Sequence, residues 1–181
     1  MLSCPPLRIK PPKLPSAPIL NSGEAEISSQ SETSNGEIGS LSTYINLTSL
    51  VESNRQEVED YYWDLYYANL TTGNALNIAL SGTAFWWKGE VEAGGPWDYK
   101  SVSGFAPYNK TWSAQTYTGT QTMTSEYIGN YNYGYTGEFL FPEQILLWGG
   151  EYAGGHLGTP EDAGDRNAIK AGFSDGETYA R

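Results

Sequence analysis

The chain has 181 residues, 21 of them glycine and 14% aromatic, and carries a formal net charge of −11 at pH 7. This length favours one domain, or one domain with a tail, and the charge disfavours a passive module that binds nucleic acid through clustered Lys and Arg. A nuclease with a local basic or metal-filled site remains open. The single cysteine, Cys4, excludes a disulfide within the chain.

The first 42 residues have the composition of a tail or linker. Residues 1–20 contain six prolines and the basic residues Arg8, Lys10 and Lys13, without any acid. This composition is typical of an extended, polyproline-like segment. Residues 21–42 are rich in Ser, Glu, Gly and Asn, and cannot bury enough apolar surface to offset the entropy of ordering. We therefore predict a tail over 1–42, serving as a spacer or as a docking signal for secretion or injection machinery, and one effector domain over 43–181.

Two helices follow in the predicted domain. Apolar residues recur at helical spacing over 49–70, Ser49 and Glu52 form a potential capping box, and Gly73 provides a stop. A second helical pattern covers 75–91, where Gly82 leaves open a division into two short helices. No run of 18 apolar residues predicts a membrane-spanning helix. No signal peptide is visible, so export would need other machinery or a larger fusion.

The middle of the chain predicts turns and a small β element. Gly94, Gly95 and Pro96 impose a turn, and the alternation in Trp-Asp-Tyr-Lys at 97–100 predicts a short strand. Residues 116–120 predict the tip of a hairpin or a long loop. The glycines within 129–137 predict tight, irregular backbone.

The last third predicts two further helices. Pro142 opens a short one. The final helix has Thr159 as N-cap and Pro160 in its first turn, and ends at Gly172 or Gly176. The predicted fold is α+β: a helix-dominated single domain with a small irregular β element near 97–135 and long Gly/Tyr-rich loops.

Three blocks together resemble the bacterial polymorphic toxin type 44 family. They are Gly-Gly-Pro-Trp-Asp-Tyr-Lys at 94–100, Gly-Asn-Tyr-Asn-Tyr-Gly-Tyr-Thr-Gly at 129–137, and Glu-Asp-Ala-Gly-Asp-Arg-Asn-Ala-Ile-Lys-Ala-Gly at 161–172, in the family's order. The resemblance covers about 44–176. It implies a secreted or injected effector toxin, a hydrolase that cleaves RNA in a target cell, and an immunity protein that neutralises it in the producer.

The first candidate catalytic pair is Asp98 and Lys100. Both would project from one face of the predicted strand, where Lys100 could stabilise developing negative charge. The alternative is a surface ion pair of little energetic consequence.

The remaining candidate catalytic groups lie near the C-terminus. His156 is the only histidine and a potential general acid or base, or else an exposed bystander. A single histidine excludes histidine-pair ribonuclease chemistry within one chain. Asp162 and Asp165 share a helix face and could hold a divalent cation, the one cofactor that we expect, although Asp162 also suits a helix start.

Aromatic and amide side chains form a candidate substrate wall. Aromatic rings stack on bases or on sugars, and amides offer hydrogen bonds. The alternative is a packed segment whose tyrosines satisfy buried polar groups. The predicted substrate-binding residues are Trp97, Asn130, Asn132, Tyr133 and Tyr135.

Two other functions remain open. The acidic, aromatic composition also suits a peptidoglycan hydrolase, in which Glu90 or Glu92 would act as a general acid on a glycan. The other alternative is a non-catalytic module that binds carbohydrate or protein. A nuclease predicts a basic or metal-filled cleft containing Lys100, a glycosidase predicts a groove with a central acid, and a binding module predicts exposed aromatic side chains alone.

Overall fold

A computed structural model describes residues 43–153 and 163–180. The predicted class is confirmed, because these described residues form five α-helices and one three-stranded sheet in a single α+β domain. The elements in chain order are β1 (Thr43–Asn46), α1 (Leu47–Ala68), a 3-10 turn (Leu70–Thr72), α2 (Ala75–Val91), β2 (Thr111–Thr116), β3 (Gly119–Thr124), α3 (Ser125–Gly137), α4 (Glu143–Ala153) and α5 (Ala163–Tyr179).

The first two helices pack against each other as a pair. The predicted cap of α1 was wrong, because the side chain of Asn46 accepts the backbone N–H of Ser49 at 3.1 Å. Helix α2 matches its predicted range and is continuous. Gly82 does not break it, and the side chain of Leu65 on α1 packs into the space that a Cβ at Gly82 would occupy.

A three-stranded sheet lies against the helices in the order β1-β2-β3. The predicted hairpin is confirmed: β2 and β3 are antiparallel and joined by a two-residue turn before Gly119, whose φ of 125° suits glycine. Strand β1 pairs with β2 in parallel and was not predicted. The strand predicted at 97–100 is absent, and those residues form turns.

Helix α3 replaces the irregular segment that was predicted over 129–137. Its glycines allow a close approach to α5. A Cβ at Gly134 would collide with the backbone carbonyl of Ile169, and one at Gly172 with that of Tyr131. The two helices make the most extensive contact in the domain.

The short helix expected after Pro142 is present as α4. The predicted end of the last helix was wrong, because Gly172 and Gly176 lie buried inside α5, which continues to Tyr179. The predicted cap, Thr159 and Pro160, lies outside the described residues. No helix within 43–153 or 163–180 is long and apolar enough to cross a membrane.

Candidate functional site

A cavity of about 730 Å³ opens between α2, α3, α4, α5 and the segment that follows α2. Its volume lies in the range of small-molecule binding sites. The lining is largely apolar, and charged side chains from four segments also border the space. Its aromatic lining consists of Trp87, Trp97, Tyr133, Phe141 and Tyr152.

The three sequence blocks that carry the toxin resemblance meet at this cavity. The first block contributes Trp97, Asp98 and Lys100, although it forms turns rather than a strand. The second contributes Gly129, Asn130 and Tyr133 from one face of α3, and the third contributes Asp165 and Ile169 from α5. Residues as far apart in the sequence as Trp97 and Ile169 therefore share one concave surface.

Asp98 organises the loop that carries Lys100. Its Oδ2 accepts the Gly94 backbone N–H at 2.9 Å and the Ser101 hydroxyl at 2.6 Å. Partial burial opposes ionisation of Asp98, but these hydrogen bonds, another from the Lys100 backbone and the Lys100 charge outweigh it and lower the pKa. A carboxylate with a low pKa and several donors suits anchoring better than proton transfer at neutral pH.

Lys100 faces Glu126 across the cavity rim, with Nζ and Oε1 3.6 Å apart. Both side chains are partly exposed, so each remains accessible to a ligand. Sequence reasoning missed Glu126 because α3 was not predicted as a helix. Helical spacing places Glu126, Asn130 and Tyr133 on one face, as positions i, i+4 and i+7.

Two polar contacts secure α5 beside the cavity. Asn130 Nδ2 donates to Asp165 Oδ1 at 2.6 Å and joins the second sequence block to the third. Arg166 forms an ion pair with Glu151 on α4. Asp165 therefore has an amide partner already, and no sequence pattern predicted this pairing.

Two of the predicted substrate-binding residues lie in the core instead. Asn132 and Tyr135 have no exposed surface, and neither lines the cavity. Asn132 Oδ1 accepts from Asn54 Nδ2 at 2.8 Å, and the same Asn54 nitrogen lies 2.8 Å from Tyr99 Oη. This buried network connects α1, α3 and the Asp98–Lys100 loop.

The predicted C-terminal site is only partly described. His156 and Asp162 lie outside the described residues, so their roles stay predictions. Within 43–153 and 163–180, no three metal-binding side chains lie close enough together to hold an ion. The expected divalent cation thus rests on the sequence alone.

The two glutamates proposed as glycan acids face different surroundings. Glu92 lines the cavity and forms an ion pair with Lys88. Glu90 does not line it. Burial raises the pKa of Glu90, and its charge also contributes to a raised pKa of Glu57 on α1.

Carboxylates outnumber ammonium groups around the cavity. Its lining contains Glu92, Asp98, Glu126 and Asp165, against Lys88 and Lys100. The net negative charge of the lining would repel a long polyanion. A single phosphate bound at Lys100 would be attracted by that ammonium group and would lie close to only some of the carboxylates.

Comparisons with protein-family models, curated proteins and solved structures found no match.

Proposed function

We propose that the protein is an effector toxin, delivered into a target cell, and that the cavity is its active site for cleaving RNA. The observation that carries this proposal is the convergence of the three toxin-like blocks on one cavity. The blocks were chosen by sequence resemblance alone, and six of their polar or aromatic side chains line the same space. Function is expected where a concave surface collects convergent polar groups.

In this proposal Lys100 stabilises the negative charge that develops on the attacked phosphate. Glu126 is the candidate general base, since its carboxylate lies 3.6 Å from Lys100 Nζ and is partly exposed to the cavity. Asp98 holds the loop in place through Gly94 and Ser101. Asn130 and Asp165 fix the opposite wall and offer hydrogen bonds to a substrate.

The aromatic wall suits a base of a single-stranded RNA. Tyr152 lines the cavity and is 70% exposed, so its ring has room for a base, while Trp87, Tyr133 and Phe141 pack together in the same lining. Stacking of a base on aromatic rings contributes about 1–3 kcal/mol and does not require a basic groove. A pocket for one base with one phosphate at Lys100 is thus compatible with an acidic protein.

A growth assay in two compartments tests the proposal. The full chain is produced in the bacterial cytoplasm or exported to the periplasm, beside the variants Lys100→Gln and Lys170→Gln. Lys170 is an exposed lysine of α5 away from the cavity lining, so it controls for the loss of one positive charge. Growth arrest confined to the cytoplasm, abolished only by Lys100→Gln, is the expected result.

A peptidoglycan hydrolase is the second candidate, favoured by the excess of carboxylates around the cavity. It predicts growth arrest in the periplasm instead of the cytoplasm. Growth in both compartments, with the protein folded and abundant, would contradict both hydrolases and favour a binding module. An immunity protein, in turn, would restore growth when produced together with the toxic chain.

A further inference from the structure

A second surface lies on the α1–α2 pair, behind the cavity wall, and is independent of the proposed function. Helical spacing places Glu57, Tyr61 and Asp64 on one face of α1, and Trp86 and Glu90 on one face of α2. The Tyr61 and Trp86 rings join these faces, stacked with centroids 4.7 Å apart and planes 11° apart. We call these five residues the aromatic–acidic face.

Within the described part of the chain, the carboxylates of this face have no positive partner. None of Glu57, Asp64 and Glu90 forms an ion pair with a described residue. Burial raises the pKa of Glu57, and the neighbouring charges of Glu90 and Asp60 raise it further, so the negative charges repel one another. A cation brought to this face would relieve that repulsion.

We propose that the aromatic–acidic face is the docking site for the chain's own basic, proline-rich segment, residues 5–18. Proline-rich segments bind aromatic surfaces because their polyproline II conformation is already extended and loses little entropy on binding. Pro12, Pro15 and Pro18 recur at three-residue spacing, which would place them on one edge of such a helix. Arg8, Lys10 and Lys13 supply the complementary charge, with no acid among residues 1–20.

The length of the intervening chain permits this contact. A coil of 22 residues with the Ser-, Glu- and Gly-rich composition of 21–42 spans roughly 26 Å. The tail joins the domain at Thr43, and β1 adds at most about 13 Å before α1 begins at Leu47. Glu57 lies about 15 Å along the helix axis from Leu47, and Asp64 about 25 Å. Because the segment is tethered, even a weak contact would be well populated.

A segment docked on this face would contact the cavity wall indirectly, through Trp86. Trp86 meets Trp97 edge to face, with centroids 5.7 Å apart, and Trp97 lines the cavity. The segment would therefore rest against a ring that supports the cavity wall.

The only cysteine, Cys4, lies directly before Pro5 and provides a labelling site in the full chain. A nitroxide attached there should broaden the indole N–H signal of Trp86 in NMR spectra, assigned with Trp86→Phe. The indole of Trp148, exposed on α4, should keep its intensity. The broadening should weaken at high salt, because screening reduces the attraction.

Charge reversal decides whether the contact is specific. The broadening should be lost in a triple variant of the tail, which leaves every described contact intact: Arg8→Glu, Lys10→Glu, Lys13→Glu. It should also be lost in the double variant Glu57→Lys, Asp64→Lys of the face. It should return in a chain that carries all five substitutions. Glu143→Lys, Glu177→Lys makes the same change in charge on α4 and α5 and should leave the broadening unchanged.

Two results would overturn the proposal. One is a failure of the tail to act at Trp86 as proposed, seen either as no broadening or as broadening that the charge reversals in the tail do not change. The other is broadening that grows with protein concentration, because it would assign the docked segment to a second copy of the chain.

Discussion

Gly134 on α3 and Gly172 on α5 each lie against the backbone of the opposite helix. A side chain at either position would strike a carbonyl group, of Ile169 or of Tyr131 respectively. This contact brings the backbones of two helices together and thereby sets the distance between Asn130 and Asp165 at the cavity. The glycines of the second and third sequence blocks thus have a packing role.

We expect Gly134→Ala and Gly172→Ala each to destabilise the domain by about 3 kcal/mol or more, because rigid backbone cannot move aside as a side chain can. Urea unfolding of the full chain measures this change. Gly89→Ala is the matched control, since no atom lies within 4 Å of its Cβ position inside α2. It should stabilise by roughly 0.5–1 kcal/mol, and an equal loss in all three variants would contradict the packing account.

The buried amide of Asn54 should contribute strongly to stability. Asn54→Ala leaves Asn132 Oδ1 and Tyr99 Oη without their donor, at an expected cost of about 2–3 kcal/mol in the free energy of unfolding. Thr83→Val provides the contrast, because the buried Thr83 hydroxyl makes no hydrogen bond to any described residue. That replacement should be neutral or stabilising. Comparable losses in the two variants would show that burial alone, and not the hydrogen bonds, matters.

Asp98 should make the stability of the domain depend on pH in the acid range. The folded pKa lies below its ordinary value of 3.8, so the charged form is favoured in the folded state. This contribution is present above the unfolded pKa and is lost as pH falls through the folded one. Thermal unfolding of Asp98→Asn should therefore show a deficit at pH 7 that shrinks below about pH 4. A deficit of constant size down to pH 2 would mean that the carboxylate charge is not what Gly94 and Ser101 recognise.

Glu57 should behave in the opposite way. Burial and the charges of Glu90 and Asp60 raise its pKa, so its charged form costs stability in the folded state. That cost is present above the folded pKa and disappears below the unfolded one, near 4.5. Glu57→Gln should raise the melting temperature at pH 7, with a smaller gain at pH 4. Glu177→Gln, which removes an exposed carboxylate of α5, should change little at either pH.

Much of the fold could be predicted where a pattern was strong. The regular apolar spacing was sufficient to predict α1 and α2, and the glycine that ends the turn was sufficient to predict the hairpin. Helix α3 was missed because its tyrosines, asparagines and glycines have modest or poor helix propensity, and packing against α5 overrides that preference. Strand β1 has only four residues, and its parallel partner is 69 positions away, so no local pattern could reveal it.

The candidate site, like the fold, could be predicted only in part. Asp98, Lys100, Asn130, Tyr133 and Asp165 were predicted from the chemistry of side chains within the toxin-like blocks, and all five line the cavity. Asn132 and Tyr135 belong to the same block, yet they lie on other faces of α3 and are buried. Without the helix, neighbouring positions could not be separated by face, and Glu126 could not be found at all.

The most direct test of the central claim is cleavage of a single-stranded RNA by the purified full chain. The proposal predicts that Lys100→Gln and Glu126→Gln each lower the rate by at least ~100-fold, as expected for removing charge stabilisation or a general base, with melting temperatures close to that of the unmodified protein. Lys170→Gln should keep the full rate. Undiminished cleavage in both cavity variants, or no cleavage by the unmodified chain at any metal concentration, would contradict the assignment of the cavity as a ribonuclease site.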